Sequence, residues 1–141
     1  MRPADARGAA AGLLLALLAG CGAPAGPRPI AHGTPCARCG MEVRDLRFAC
    51  ERAEGNGWRV YDAIECLLDD WRTAASGPAW LSDYDRQTLH AADSLWVVKG
   101  EFASPMGGGF AAFLDRAAAD SVAAETRGRV ARLGEFAGGT P

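Results

Sequence analysis

Residues 47–71 read RFACERAEGNGWRVYDAIECLLDDW, and the apolar period changes partway along them. The stretch RFACER (47–52) alternates and sets Phe48 and Cys50 on one face; WRVYDA (58–63) does the same with Trp58 and Val60. AEGNG (53–57) lies between them and supplies a turn, so the segment predicts a β-hairpin. From Asp62 the period lengthens. Ile64, Leu67, Leu68 and Trp71 fall at i, i+3, i+4 and i+7, the apolar stripe of one helix face. Asp62 and Glu65 form an Asp-x-x-Glu pattern that predicts a capped helix start. SGP (76–78) ends the helix, and AWLSDY (79–84) predicts a third strand.

The same order recurs downstream. SLWVVKG (94–100) predicts a strand and GGFAAF (108–113) its partner. DRAAADSVAAETRG (115–128) predicts an alanine-rich helix opened by Asp115 and stopped near Gly128, and RVARL (129–133) a closing strand. The chain therefore predicts an α+β domain of two tandem ββαβ units, with helices packed on sheet. Its span is 36–136, after a leader (1–20) and a flexible stretch (21–35) and before a disordered tail (137–141).

The chain of 141 residues opens with MRPADAR and an unbroken apolar run, AAAGLLLALLAG (9–20). That run is shorter than the roughly 20 residues of a membrane-spanning helix. A basic start, a short apolar stretch and small residues before a break predict a secretory leader. LAGC (18–21) resembles the lipobox of bacterial lipoproteins, which makes Cys21 the acylated, palmitate-bearing residue and new N-terminus. GAPAGPRPIAHGTP (22–35) is then a Pro/Gly/Ala tether. Gly22 offers no acidic retention signal, so by the same resemblance the expected location is the outer membrane, facing the periplasm. Losing Arg2, Arg7 and Asp5 with the leader takes the formal charge from −2 to −3. A mildly acidic domain with the single lysine Lys99 has no basic surface for nucleic acid.

The chemistry-bearing residues are soft. Beyond the leader the methionines are Met41 and Met106, each beside glycine, in CARCGMEV (36–43) and SPMGGG (104–109). Cys36, Cys39, Met41 and Met106 form a thiolate and thioether set of the kind that selects Cu(I) over harder ions. His32 lies just upstream. Other readings of the Cys-x-x-Cys pair stay open. It can be a disulfide in an exported protein, a redox-active dithiol, or part of a zinc site with Cys50 and Cys66, whose spacing is loose for a second pair. Cys50 shares the apolar face of its strand and reads as a small hydrophobe. Cys66 lies roughly 200° around the helix from Ile64 and points off the stripe; a Cys50–Cys66 disulfide needs those faces to meet. His90, Glu101 and the Asp69–Asp70 pair read as surface groups. No Ser-His-Asp or paired-carboxylate set suggests hydrolysis, so the chain reads as a non-enzyme.

CARCGMEV (36–43), VYDAIECLL (60–68), SPMGGGFAAFLDRAAADSVAAE (104–125) and the GRV that follows (128–130) together resemble the NosL family, lipoproteins of the nitrous oxide reductase maturation system. The resemblance implies a tandem ββαβ fold similar to that of organomercurial lyase, without its catalysis. It also implies a Cu(I)-binding chaperone that passes copper to the assembly machinery of a periplasmic copper enzyme through an ABC-transporter complex. Carried onto this chain it points to Cys36, Cys39, Met41 and Met106. Many members have an acidic residue before the first cysteine; here the sequence is GTPCARC (33–39).

Overall fold

Strand β1 (Cys50–Glu54) and strand β2 (Gly57–Tyr61) form the hairpin, in register from Cys50 opposite Tyr61 to Glu54 opposite Gly57. The computed structural model describes residues 26–73 and 77–138. The turn is two residues, Gly55–Asn56, tighter than the five-residue segment expected, and Gly55 takes the positive φ of 57° that such turns require. Helix α1 (Ile64–Thr73) follows at once, then β3 (Ala79–Ser82), which returns to pair with β1. A fourth strand absent from the sequence reading, β4 (Leu89–Ala91), pairs with β3, giving the order β2-β1-β3-β4.

The second unit repeats the plan. Strand β5 (Trp96–Lys99) pairs antiparallel with β6 (Phe110–Phe113), helix α2 (Arg116–Glu125) crosses over, and β7 (Arg129–Ala131) returns to β5. The order is β6-β5-β7. In both sheets the unit's first strand sits between its second and third, as a tandem ββαβ repeat requires. Asp115 caps α2 by accepting from the Ala117 N–H at 2.9 Å. A short helix, α3 (Leu133–Ala137), follows β7; it was not foreseen, and it includes Ala137 from the expected tail.

Why the second sheet reads as continuous apolar runs is visible in its burial. Along β6, Phe110 and Ala112 face a core shared with Ile64, Leu67, Leu68 and Phe136, whereas Ala111 and Phe113 face another with Phe48, Ala119 and Ala123. The sheet is thus a middle layer, α1 and α3 on one side and α2 on the other. The sheets are joined edge to end: Tyr84 N–H donates to the Ala112 carbonyl, and Asp83 Oδ1 accepts from Leu114 N–H.

Three local expectations are corrected. Phe48 lies in the turn before β1 and packs under α2, not beside Cys50. In β2 the core-facing side chain is Tyr61, fully buried, while Trp58 and Val60 are half-buried. Asp70 is not a surface charge: it is buried and accepts from Tyr61, Arg52 and Arg59. The domain's contacts also begin before residue 36. Arg28 stacks on Trp58, its N–H donates to buried Glu51, and Gly33 N–H donates to the Val43 carbonyl. The leader and Cys21 lie outside the described residues.

Candidate metal centre

The Cys-x-x-Cys segment is a closed loop. Pro35 bridges Glu42, Cys36 N–H donates to the Met41 carbonyl at 2.7 Å, and Gly40 N–H donates to the Cys36 carbonyl at 3.0 Å. Gly40 carries the positive φ (78°) that turns the chain back. Ala37 N–H donates to the Val60 carbonyl, pinning the loop to β2. Cys36 is consequently driven inward and Cys39 stands at the rim.

The loop lands on the start of α1. The sulfurs of Cys36, Cys39 and Cys66 and a carboxylate oxygen of Asp62 all lie within 4.8 Å of one another. Cys66 stands in the first turn of α1 and Asp62 just ahead of the helix, and both reach the same loop. Cys39 Sγ donates to Asp62 Oδ1 at 3.6 Å, and Asp62 Oδ2 is buried with no hydrogen-bond partner. A buried carboxylate oxygen without a donor is costly. A cation among these side chains removes that cost. Sulfurs bound at 2.3 Å in a tetrahedral centre are about 3.8 Å apart, so the group closes on an ion with a movement of about an ångström. Three soft donors and one hard oxygen suit a d10 ion such as Cu(I) or zinc.

Burial raises the Cys66 thiol far above its usual range, with the neighbouring Cys36 and Asp62 charges adding to it. Burial also raises Cys39, against a lowering hydrogen bond from the Met41 backbone. Both are therefore thiols at neutral pH, and a metal ion must displace their protons to bind. Cys50 stands apart from the group. It is fully buried, donates to the Ala63 carbonyl, and is not disulfide-bonded to Cys66.

Of the four sequence-predicted metal ligands, the structure gathers Cys36 and Cys39 with Asp62 and Cys66, and leaves both methionines exposed, Met41 at 49% and Met106 at 42%. A groove of roughly 350 Å³ runs beside the cluster; Met41 and Phe48 line it from one segment, Ser104 and Pro105 from another, and Asp62 lines it as well. Met106 follows Pro105 directly. His32 is exposed and lies outside the cluster. Cys66 points off the α1 stripe as expected but is buried, because the Cys36 loop covers that side of the helix.

Asp62 was missed as a site residue because it was assigned to a helix cap, and Cys66 was weighed only within a zinc set that also needed Cys50, which the cluster leaves out. No capping box forms. Glu65 Oε1 accepts instead from Ser104 Oγ at 2.7 Å and Gly108 N–H at 2.9 Å, and its other oxygen is buried without a partner. Asp62 precedes α1 and Cys66 lies in its first turn, so no helical spacing links the two in the sequence.

No family model matches the chain, and no curated protein does. Among solved structures it shares its fold with the copper chaperone NosL from Shewanella denitrificans, with a TM-score of 0.65, 16% identity, and coverage of 77% of this chain and 93% of that one. The chain thus combines a NosL-like α+β fold with a Cys/Asp cluster able to hold a metal ion.

Proposed function

We propose that this chain is a lipid-anchored Cu(I) carrier and not an enzyme, holding copper at the convergence of Cys36, Cys39, Asp62 and Cys66 with Met41 and Met106 at the approach. The observation that carries the reading is that convergence: three thiols from two distant segments meet the Asp62 carboxylate, one of whose oxygens is buried without a partner, beside a groove lined by Met41. The likeness of fold to a protein described as a copper chaperone supports it.

The division of labour follows from donor chemistry. Thioethers carry no proton at any pH, so Met41 and Met106 can meet an incoming ion without acid–base cost. The thiols bind more strongly but must release protons. An ion met at the exposed methionines and passed to Cys39, the rim cysteine, gains affinity as it moves inward and can return the same way. Acylated Cys21 would keep the domain at a periplasm-facing membrane, the outer membrane by the resemblance noted above. The recipient would be the assembly machinery of a periplasmic copper enzyme, nitrous oxide reductase, by way of an ABC-transporter complex.

A thiol–disulfide function uses the same Cys-x-x-Cys pair, but the geometry favours it less. A reactive thiol needs a lowered pKa, whereas burial raises Cys39, and the pair sits in a loop rather than at a helix start.

The deciding experiment titrates the reduced full chain with Cu(I) against a chromophoric chelator, without oxygen. One-to-one binding that collapses in Cys36→Ser/Cys39→Ser and weakens about 10-fold or more in Met106→Ala supports the carrier. Met106→Ala should leave the melting temperature unchanged, because its side chain is largely exposed. Binding indifferent to the cysteines overturns the reading.

A further inference from the structure

The glycine-rich loop that carries Met106 is tied down by one side chain from the first turn of α1. Glu65 lies between Asp62 and Cys66 at the start of α1, and its Oε1 accepts from both Ser104 Oγ (2.7 Å) and Gly108 N–H (2.9 Å). Ser104 Oγ accepts in turn from Gly109 N–H at 3.0 Å, and the Ser104 carbonyl accepts from Gly107 N–H at 3.0 Å. Both ends of the Ser104–Gly109 segment thus converge on one carboxylate oxygen, with Met106 at the crest. The approach leaves no room for a side chain: a Cβ on Gly108 would lie 2.5 Å from Glu65 Cγ.

From this we infer that Glu65 is a positioning residue, setting where Met106 stands relative to the Cys36/Cys39/Asp62/Cys66 cluster. This rests on the copper-carrier reading for its function, though not for its geometry. Glu65 is not a ligand in this account; it acts through Met106. It does not cap α1, since neither of its oxygens accepts from the Asp62 backbone and Oε2 has no partner at all. The loop's three glycines then serve close approach and a fixed turn, not free movement. Because Glu65 and Cys66 are neighbours in the first turn of α1, any shift of that turn when the thiols close on a metal ion is transmitted to Met106 by the same carboxylate.

The test uses the full chain as wild type, Glu65→Ala, Glu65→Gln, Met106→Ala and the Glu65→Ala/Met106→Ala double variant. Gly108→Ala is added to break the same contact from the loop side, since its Cβ would press on the Glu65 side chain. Two quantities are read: Cu(I) affinity by chelator competition, and hydrogen exchange of the Gly108 and Gly109 amides in metal-free protein. Glu65→Ala should weaken Cu(I) binding by about 10- to 100-fold, the range for residues that orient a ligand. The double variant should be no weaker than Met106→Ala, and Glu65→Gln, which keeps a carbonyl acceptor, should bind close to wild type. Gly108→Ala should reproduce the Glu65→Ala loss, and both should speed exchange at the loop amides.

Losses that add in full in the double variant, or wild-type affinity in Glu65→Ala, overturn the assignment. So does unchanged exchange at Gly108 and Gly109, whatever the copper result. If Glu65→Ala fails to fold, Gly108→Ala decides by the same criteria. A wild-type chain that binds no Cu(I) removes the functional half of the assignment along with the carrier reading, and the exchange data then stand alone as the test of the tether.

Discussion

Asp62 and Cys39 are 23 residues apart in sequence, and Cys39 Sγ donates to Asp62 Oδ1 at 3.6 Å while Asp62 Oδ2 lies buried without a donor. The contact joins the cysteine loop to a residue just ahead of α1 and brings in Cys66, in the helix's first turn. If that junction holds metal, Asp62→Asn and Cys66→Ser should each weaken Cu(I) binding, Cys66→Ser the more because it removes a soft donor. Losses of about tenfold or more are expected, against no loss in Cys50→Ser, whose sulfur is outside the group. Chelator competition separates these outcomes. X-ray absorption should count three sulfur scatterers or more in the wild type and one fewer in Cys66→Ser; equal counts would exclude Cys66 from the site.

How much of this was legible beforehand differs from element to element. Asp115 was read as a helix cap and is one, because the whole signal lies within three residues. The β5–β6 pairing followed from two apolar runs separated by a glycine loop. The hairpin face was misread: Trp58 and Val60 fit the alternation, but Tyr61, polar at its tip, is the side chain that enters the core. Helix α3 has five residues, too few to display a helical period. The site failed for a different reason. Asp62 and Glu65 match a local capping rule, yet their partners are 23 and 43 residues away, and local patterns carry no record of such contacts. Cysteines could be recognised as soft donors from their type alone. Which of them meet was a tertiary matter.

Asp70 and its partners predict an acid-sensitive fold. Burial pushes the Asp70 carboxyl up, but hydrogen bonds from Tyr61 and Arg52 and the Arg59 and Arg52 charges outweigh it and hold the carboxyl below the ordinary aspartate range. A group depressed in the folded state stabilises above its unfolded value, about 4, and loses that contribution as pH falls through the folded value. Wild-type stability should therefore decline below about pH 4, and Asp70→Asn should lack that part of the decline. At neutral pH Asp70→Asn should cost about 3 kcal/mol, the lower end for breaking a buried pair, because Glu54 still accepts from Arg52. Urea denaturation at several pH values checks both. A variant with the full wild-type acid slope would show that other carboxylates carry it; Asp45, depressed chiefly by its hydrogen bond from Arg47, is the next candidate.

The glycines after Met106 are not equivalent, and their substitution separates fold from function within one loop. Gly109 has φ +68°, and a Cβ there would lie 1.9 Å from the Gly100 carbonyl oxygen, an atom of the backbone that cannot rotate away. That strand end is also paired: Gly100 N–H donates to the Gly109 carbonyl at 2.9 Å. Gly107 has φ +75° but meets nothing within 4 Å, so alanine there adds conformational strain alone. Gly107→Ala should cost about 1 kcal/mol and Gly109→Ala about 3 kcal/mol or more, as backbone strain is joined by overpacking. Each kcal/mol lowers the melting temperature of a domain this size by roughly 4–8 °C, so the two variants should differ clearly in a thermal melt. Because Gly109 lies at the β6 end and Met106 at the crest, a folded Gly107→Ala should bind Cu(I) less tightly than its small loss of stability implies. Gly109→Ala should lose stability first. Equal melting temperatures for the two would show that the β5–β6 connection yields at Gly100, and that the close backbone approach is not what demands a glycine at 109.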